Sequence, residues 1–251
     1  MHYGPRGAGI TVGSAHRVPL ANWRHGLALA AILSFLVLLL SVAQDYLHLA
    51  GTISTSAKIW LLDIDTEQSV FTWISVLSLF FAAQLLLELG QDAFARNDRF
   101  KRHWLFLAGV FFFLSFDEFS SIHEKISAAI AGQVDNTGIF YYAWAAPAGL
   151  LALVGLAIFI PFIRSFRPRH AVLLVASAVI FLFGAVVMEM VGGAIAEDKG
   201  LETAAYRLAT SIEEGCELAG VLLFIYVLLD YREYKKKHEQ VVGAVGEVVS
   251  N

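Results

Sequence analysis

The chain has a single cysteine, Cys216, in 251 residues. No internal disulfide can form and no cysteine-rich metal site can exist, so Cys216 reads as a packing residue. Residues 1–20 lack a short apolar core with a small-residue cleavage site. No removable signal peptide is expected, and the first apolar segment reads as a retained anchor. Heptads, repeats and strand-like alternation are also missing, which excludes coiled coils, arrays and sheets. No motif supports serine nucleophile chemistry, although Ser120 and Ser121 lie near His123. No nucleic-acid partner is expected, and nothing sets an oligomeric state.

What the chain has in abundance is apolar length. Hydrophobic residues make up 57% of it, and the mean hydropathy is +0.64. Several runs approach the ~20 apolar residues that cross a bilayer, and lipid demands backbone hydrogen bonding within each segment. The expected fold is therefore all-α: a polytopic transmembrane bundle of six spans, near 23–49, 68–90, 103–127, 139–163, 171–195 and 205–230. Residues 1–22 form a cytoplasmic N-terminal segment, 23–230 the six-helix domain, and 231–251 a basic cytoplasmic tail, disordered from about 239. Pro147 should kink the fourth span.

Lys and Arg set the orientation. Arg6, Arg17 and Arg24 precede the first span, and Arg96, Arg99, Lys101 and Arg102 fill the second connection. Arg164, Arg167 and Arg169 fill the fourth, and Arg232, Lys235, Lys236 and Lys237 follow the last span. The remaining connections carry Asp63, Asp65, Glu67, Asp135, Glu197, Asp198 and Glu202. The positive-inside rule places both termini in the cytoplasm, in a bacterial inner membrane. Trp23 and Trp104 then belong to the inner aromatic belt, and Trp73 and Trp144 to the outer one. Glu88, near the inner end of its helix, should snorkel, and Asp65 or Thr66 should cap the second helix.

Against this apolar background the acids stand out. A carboxylate at the bilayer centre costs about 2.5–3.5 kcal/mol, whereas a Leu or Phe returns only about 0.3–0.6. The spans nevertheless hold Asp45, Asp117, Glu118, Glu124, Glu189, Glu213, Glu214 and Glu217, with His48 and His123, on four helices at a similar outer depth. At ~100° per residue, Glu213 and Glu217 lie ~40° apart with Glu214 in the same arc, which makes one acidic face. Asp45 and His48 share a face at i, i+3. Asp117 and Glu124 superimpose, while Glu118 and His123 point to either side. Such a third span is either a central helix touched on several sides or one broken near Ser120-Ser121.

The only cations close by in sequence are Lys125 and Arg207, too few for eight acids. Protons or metal ions must supply the difference. Carboxylates and histidines on facing helices are the ligand inventory of a dinuclear carboxylate centre, and Asp45-x-x-His48 has the acid-x-x-His spacing used there. The second such pair is absent, since Glu118 and His123 are differently spaced. Oxygen-rich ligands suit divalent metal ions, a dinuclear iron or manganese centre first, with zinc or calcium as alternatives.

Asp63-Ile-Asp65-Thr-Glu67 running into Thr72-Trp73-Ile-Ser75, taken with Leu114-Ser115-x-Asp117-Glu118 and His123-Glu124, resembles a group of uncharacterised bacterial six-span membrane proteins with a DE…HE signature in the third span. The resemblance implies a family site at these acids and no particular chemistry. The leading expectation is a membrane metalloprotein, a metal-dependent redox or hydrolytic enzyme acting on a lipid-soluble or small substrate. The alternatives are a proton- or cation-coupled transporter or channel, and a non-catalytic, ion-stabilised membrane subunit.

Overall fold

The computed structural model describes residues 22–131 and 136–250, so the expectations resting on Arg6, Arg17 and Asp135 lie outside it. Every regular element among the described residues is helical. In chain order the longer ones are α1 (Trp23–Leu49), α2 (Val70–Ala95), α3 (Lys101–Ser120), α4 (Ile122–Ala131), α5 (Ala145–Ile163), α6 (Pro168–Leu182), a π-helical segment (Phe183–Met188), α7 (Glu189–Lys199) and α8 (Ala204–Ser250), with short 3-10 turns at Thr55–Ala57, Trp60–Leu62 and Gly138–Phe140. Four stretches are long and apolar enough to cross a membrane: α1, α2, α5 and the continuous run Pro168–Lys199. The pair α3 and α4 makes a fifth, bent by 73° at its break. The helix α8 is not among these stretches; Glu213, Glu214 and Glu217 interrupt its apolar sequence.

Which side chains are buried indicates the surrounding medium. Helix α1 turns Ser34, Val37, Ser41, Gln44 and Asp45 inward and leaves Leu29, Leu33, Leu36 and Leu40 exposed. A helix in water would do the opposite, whereas small and polar residues at the helix contact with leucines outside suit lipid surroundings. Helix α2 is central instead: it buries Thr72, Ser75, Ser78, Ala82 and Ala83 together with Phe71, Leu79, Leu85, Leu86 and Leu89. It packs mainly on α3, with Ser115 Oγ donating to the Val76 carbonyl at 3.0 Å.

The two ends of the bundle differ. At the end where α2 and α3 join, Leu86, Trp104, Phe162, Ile225 and Leu228 form an apolar core. Cations tie that end together: Arg232 to Glu88 at 2.8 Å, and Lys235 to Asp92 at 3.1 Å. The opposite end carries the loop 50–69 and the start of α8, and holds the acids.

Several expectations change. Pro147 lies in the first turn of α5, which begins at Ala145, so its missing N–H costs no helical bond and no kink is needed. Ser69, not Asp65 or Thr66, caps α2: its Oγ accepts from the Thr72 N–H at 3.0 Å. Trp104 is core, edge-on to Phe162 and stacked on Tyr231. Glu88 does not reach for water alone, being paired to Arg232. The backbone of α8 stays helical through Ser250, past the point where a disordered tail is expected. Extending an existing helix adds one bond per residue without a new nucleus, which favours this continuation.

Close packing of α6 on α8 depends on Gly220, where a Cβ would meet the Phe181 backbone N at 2.7 Å and Cα at 2.9 Å. Backbone cannot yield as a side-chain tip can. Gly220→Ala should therefore destabilise by about 1–2 kcal/mol despite the better helix propensity of alanine, measured by thermal unfolding in detergent. Gly109→Ala, with nothing within 4 Å, should be neutral or stabilising.

Candidate functional site

Three local devices bring acids from α3, α4, α7 and α8 together. The first is the break after α3. Ser121 adopts a left-handed conformation (φ 50°), and its N–H closes α3 on the Asp117 carbonyl at 2.7 Å. The Asp117 side chain then caps the next helix. Its Oδ1 accepts from the His123 N–H at 2.9 Å, and its Oδ2 holds His123 Nδ1 at 2.9 Å. Asp117 thereby orients the imidazole and leaves Nε2 for other partners. Lys125 turns back to the Ser120 carbonyl.

The second device is the π-helical segment. A Cβ at Gly184 would lie 2.6 Å from the Glu213 carbonyl oxygen and 2.8 Å from Glu217 Cγ. Only glycine lets this wide turn press against the acidic face of α8, and Glu189 is the first residue beyond it. Such π segments recur at functional sites because they re-aim side chains within an otherwise regular helix. The third device is Trp144. Its ring lies against His123, with centroids 4.9 Å apart, and its Nε1–H donates to Glu189 Oε1 at 2.8 Å. One side chain thus links α4 to α7.

The result is one electrostatically connected group. The Glu213 carboxyl faces α7, where a Cβ at Gly192 would lie 3.8 Å from its Oε2, and it interacts electrostatically with Glu189, Glu217 and Glu214. Glu214 feels Glu118, Glu217, Glu67 and Glu189, and Glu217 feels Glu118, Glu189, His123 and Asp117. Glu124, exposed at the rim, interacts with Glu67, His123 and Glu189. Asp117, Glu118, His123, Glu189, Glu213, Glu214 and Glu217 are half-buried. Among the described residues, no three His, Cys, Asp or Glu side chains have their ligand atoms gathered about one point as a bound metal requires.

Asp45 and His48 are employed elsewhere. Buried Lys58 bonds Asp45 Oδ1 at 2.7 Å and Asp63 Oδ2 at 2.8 Å. Arg207 reaches Asp63 at 3.3 Å, Asp65 at 2.8 Å and Glu202 at 3.5 Å. Gln44 grips Ile59 through both amide atoms, and Ser41 Oγ accepts from the Ile64 N–H at 3.2 Å. His48 Nδ1 meets the Ile53 carbonyl at 3.2 Å. The i, i+3 face of Asp45 and His48 therefore anchors the loop 50–69. Burial works against the Lys58 charge, yet its two carboxylate partners outweigh it and hold its pKa above the usual lysine range.

Sequence reasoning missed three contributors. Glu67 was read with the loop acids and reaches the cluster; its alternation with Asp63 and Asp65 was the available signal. Trp144 was assigned to an aromatic belt, and Lys58 was not counted among the cations. Both act across gaps in the chain that no local pattern reports.

These features define a helical protein with membrane-length apolar segments and a carboxylate cluster set among them. Residues 26–231 match the family described as "Domain of unknown function (DUF8692)", and the chain belongs to that family. The match spans α1 to α8 and takes in every candidate residue from Asp45 to Glu217. No curated protein and no solved structure matches the chain.

Two outcomes test the loop network. Lys58→Met leaves Asp45 and Asp63 without their shared cation and should cost about 3–5 kcal/mol in detergent unfolding, with much of the loss recovered by adding Asp45→Asn. Asp65 lies in the loop outside the spans. Burial pushes its pKa from the ordinary 3.8 up to about 6, with Arg207 opposing. Between those values the folded chain binds more proton than the unfolded one, so this group makes stability fall as pH rises from about 4 to about 6. Asp65→Asn should flatten that part of the stability–pH curve.

Proposed function

We propose that this is an integral membrane metalloprotein whose carboxylate cluster, with His123, binds divalent metal and supports a metal-dependent reaction, redox or hydrolytic, on a lipid-soluble or small substrate. In this reading α1, α2, α3–α4, α5, α6–α7 and α8 are six spans, both termini are cytoplasmic, and the membrane is a bacterial inner membrane. The cluster then lies toward the outer face.

The observation that carries the reading is the convergence of Glu118, Glu189, Glu213, Glu214 and Glu217, half-buried acids that act on one another with only His123 among them and Lys125 at the rim to oppose their charge. Carboxylates withdrawn from water and set against one another persist when a proton or a cation offsets their repulsion. Arg207 and Lys58, the nearby strong cations, are committed to Asp45, Asp63, Asp65 and Glu202. Asp117 holding His123 Nδ1 is the carboxylate–histidine arrangement that aims Nε2 at a metal and raises its basicity. Glu189, Glu213 and Glu217 supply hard oxygen ligands, which suit iron, manganese or calcium, with zinc as a further candidate. Small rotations of these half-buried side chains would gather them about an ion. When bound, the metal would act as a Lewis acid or redox centre, and a carboxylate left free would serve as base.

A second reading, proton- or cation-coupled transport, is favoured by two helix discontinuities at the cluster, the α3–α4 break and the π-helical segment. Against it, the other half of the bundle is filled by apolar side chains.

Elemental mass spectrometry of protein purified without added metal separates the two. Near-stoichiometric iron, manganese or zinc is expected, lost in Glu213→Ala/Glu217→Ala and bound about 10–100-fold more weakly in Asp117→Asn. Absence of metal, even after reconstitution with each ion, would overturn the reading in favour of protonated acids and coupled transport.

A further inference from the structure

The basic end of the bundle holds a feature that the carboxylate cluster does not use. Between the start of α1, the start of α6 and the last part of α8 lies a cavity of about 240 Å³. Its walls carry Arg24, Arg167, Arg169 and Lys237 against Asp230 and Glu233, with His170 at one side. Four cations against two carboxylates leave a formal excess of two positive charges before His170 is counted.

That excess is localised. Arg24 holds both acids, at 3.4 Å from Asp230 and 3.0 Å from Glu233, and Lys237 lies 2.7 Å from Glu233. The Arg167 guanidinium lies over the Tyr234 ring at 4.5 Å, and Arg169 donates to the Tyr226 hydroxyl at 3.0 Å while standing 3.9 Å from Asp230. These two arginines flank Pro168 at the start of α6, which has no side-chain cap. The first-turn N–H groups there have no intrahelical acceptor, and the helix dipole adds positive potential.

An independent observation points to a missing partner. His170 is only 3% exposed, and its Nε2 faces Asp230 at 3.1 Å. Its Nδ1, also buried, has no hydrogen-bond partner among the described residues. One ring nitrogen is thus paired and the other is left without a partner at the wall of the cavity. Beside the cavity runs an apolar groove formed by Pro168, Val172, Leu173 and Tyr226, and Arg169 lines both. A charged recess continuous with an apolar groove on an apolar helix matches a lipid headgroup joined to its acyl chain.

We propose that this cavity binds an anionic phospholipid, the phosphate seated against Arg167 and Arg169 and an acyl chain along the α6–α8 groove. The site is separate from the carboxylate cluster and holds whatever that cluster does.

Full-length protein delipidated in neutral detergent provides the test, with phosphatidylglycerol, phosphatidylcholine and inorganic phosphate as probes. Native mass spectrometry should show phosphatidylglycerol retained and phosphatidylcholine lost, with a matching rise in melting temperature for the anionic lipid alone. Arg167→Gln/Arg169→Gln should weaken retention about tenfold or more, as expected for losing charge-assisted hydrogen bonds. Arg99→Gln/Arg102→Gln, which removes the same charge from another connection, should leave retention unchanged. If the first double variant does not fold, Arg167→Gln alone, which breaks no ion pair among the described residues, should still weaken retention. Equal retention of both lipids, or undiminished binding by the Arg167 variants, would overturn the proposal. Stabilisation by millimolar phosphate equal to that by phosphatidylglycerol would overturn the lipid assignment.

Discussion

A carboxylate withdrawn from water without a counter-charge is among the most expensive objects a protein can hold, and one half of this bundle is arranged around several of them. Glu118, Glu189, Glu213, Glu214 and Glu217 project between apolar helices, and the strong cations near them are spoken for. The surrounding structure keeps these acids together where simple electrostatics would drive them apart. The α3–α4 break turns His123 toward them, Gly184 lets the π-helical segment press on α8, and Trp144 ties α4 to Glu189. Arrangements that oppose their own electrostatics persist when something else, a proton or an ion, completes them.

The adjoining loop illustrates the contrast. Lys58 and Arg207 meet Asp45, Asp63 and Asp65 in a network whose charges nearly cancel, and Gln44 and Ser41 satisfy the loop backbone. That network has a structural role: it seats the loop that carries Glu67. Two polar systems therefore lie side by side, one threaded with a lysine and an arginine that pair its acids and one without such pairs. At the other end of the molecule, ion pairs and an aromatic core stabilise α2, α3 and α8, and the unbalanced charge there is positive.

Much of the architecture was legible without coordinates. Apolar length and the exclusion of strands set the helices, and α1 occupies the same residues, 23–49, as its hydropathy indicated. The two-sided scatter of Glu118 and His123 marked the third segment as central or broken, and the break falls at Ser121. Acids on α3, α7 and α8 were read as one group because their depths agreed, and they do interact. Depth misled at Asp45 and His48, which share that level but face the loop 50–69. Pro147 and Ser69 show a smaller version of the same problem, since the effect of a helix end depends on where the first turn begins.

The sequence by itself determined the inventory: helices long enough for a membrane, and acids among them in excess of cations. Periodicity and hydropathy report these because both are local properties of the chain. Tertiary structure alone decided which acids are neutralised and which are left to one another. Lys58 reaches Asp45, Arg207 reaches Asp63 and Asp65, and Trp144 reaches Glu189 across separations of 13, 142–144 and 45 residues. Electrostatic pairing depends on distance in space, and no pattern along the chain encodes that distance until the helices have packed.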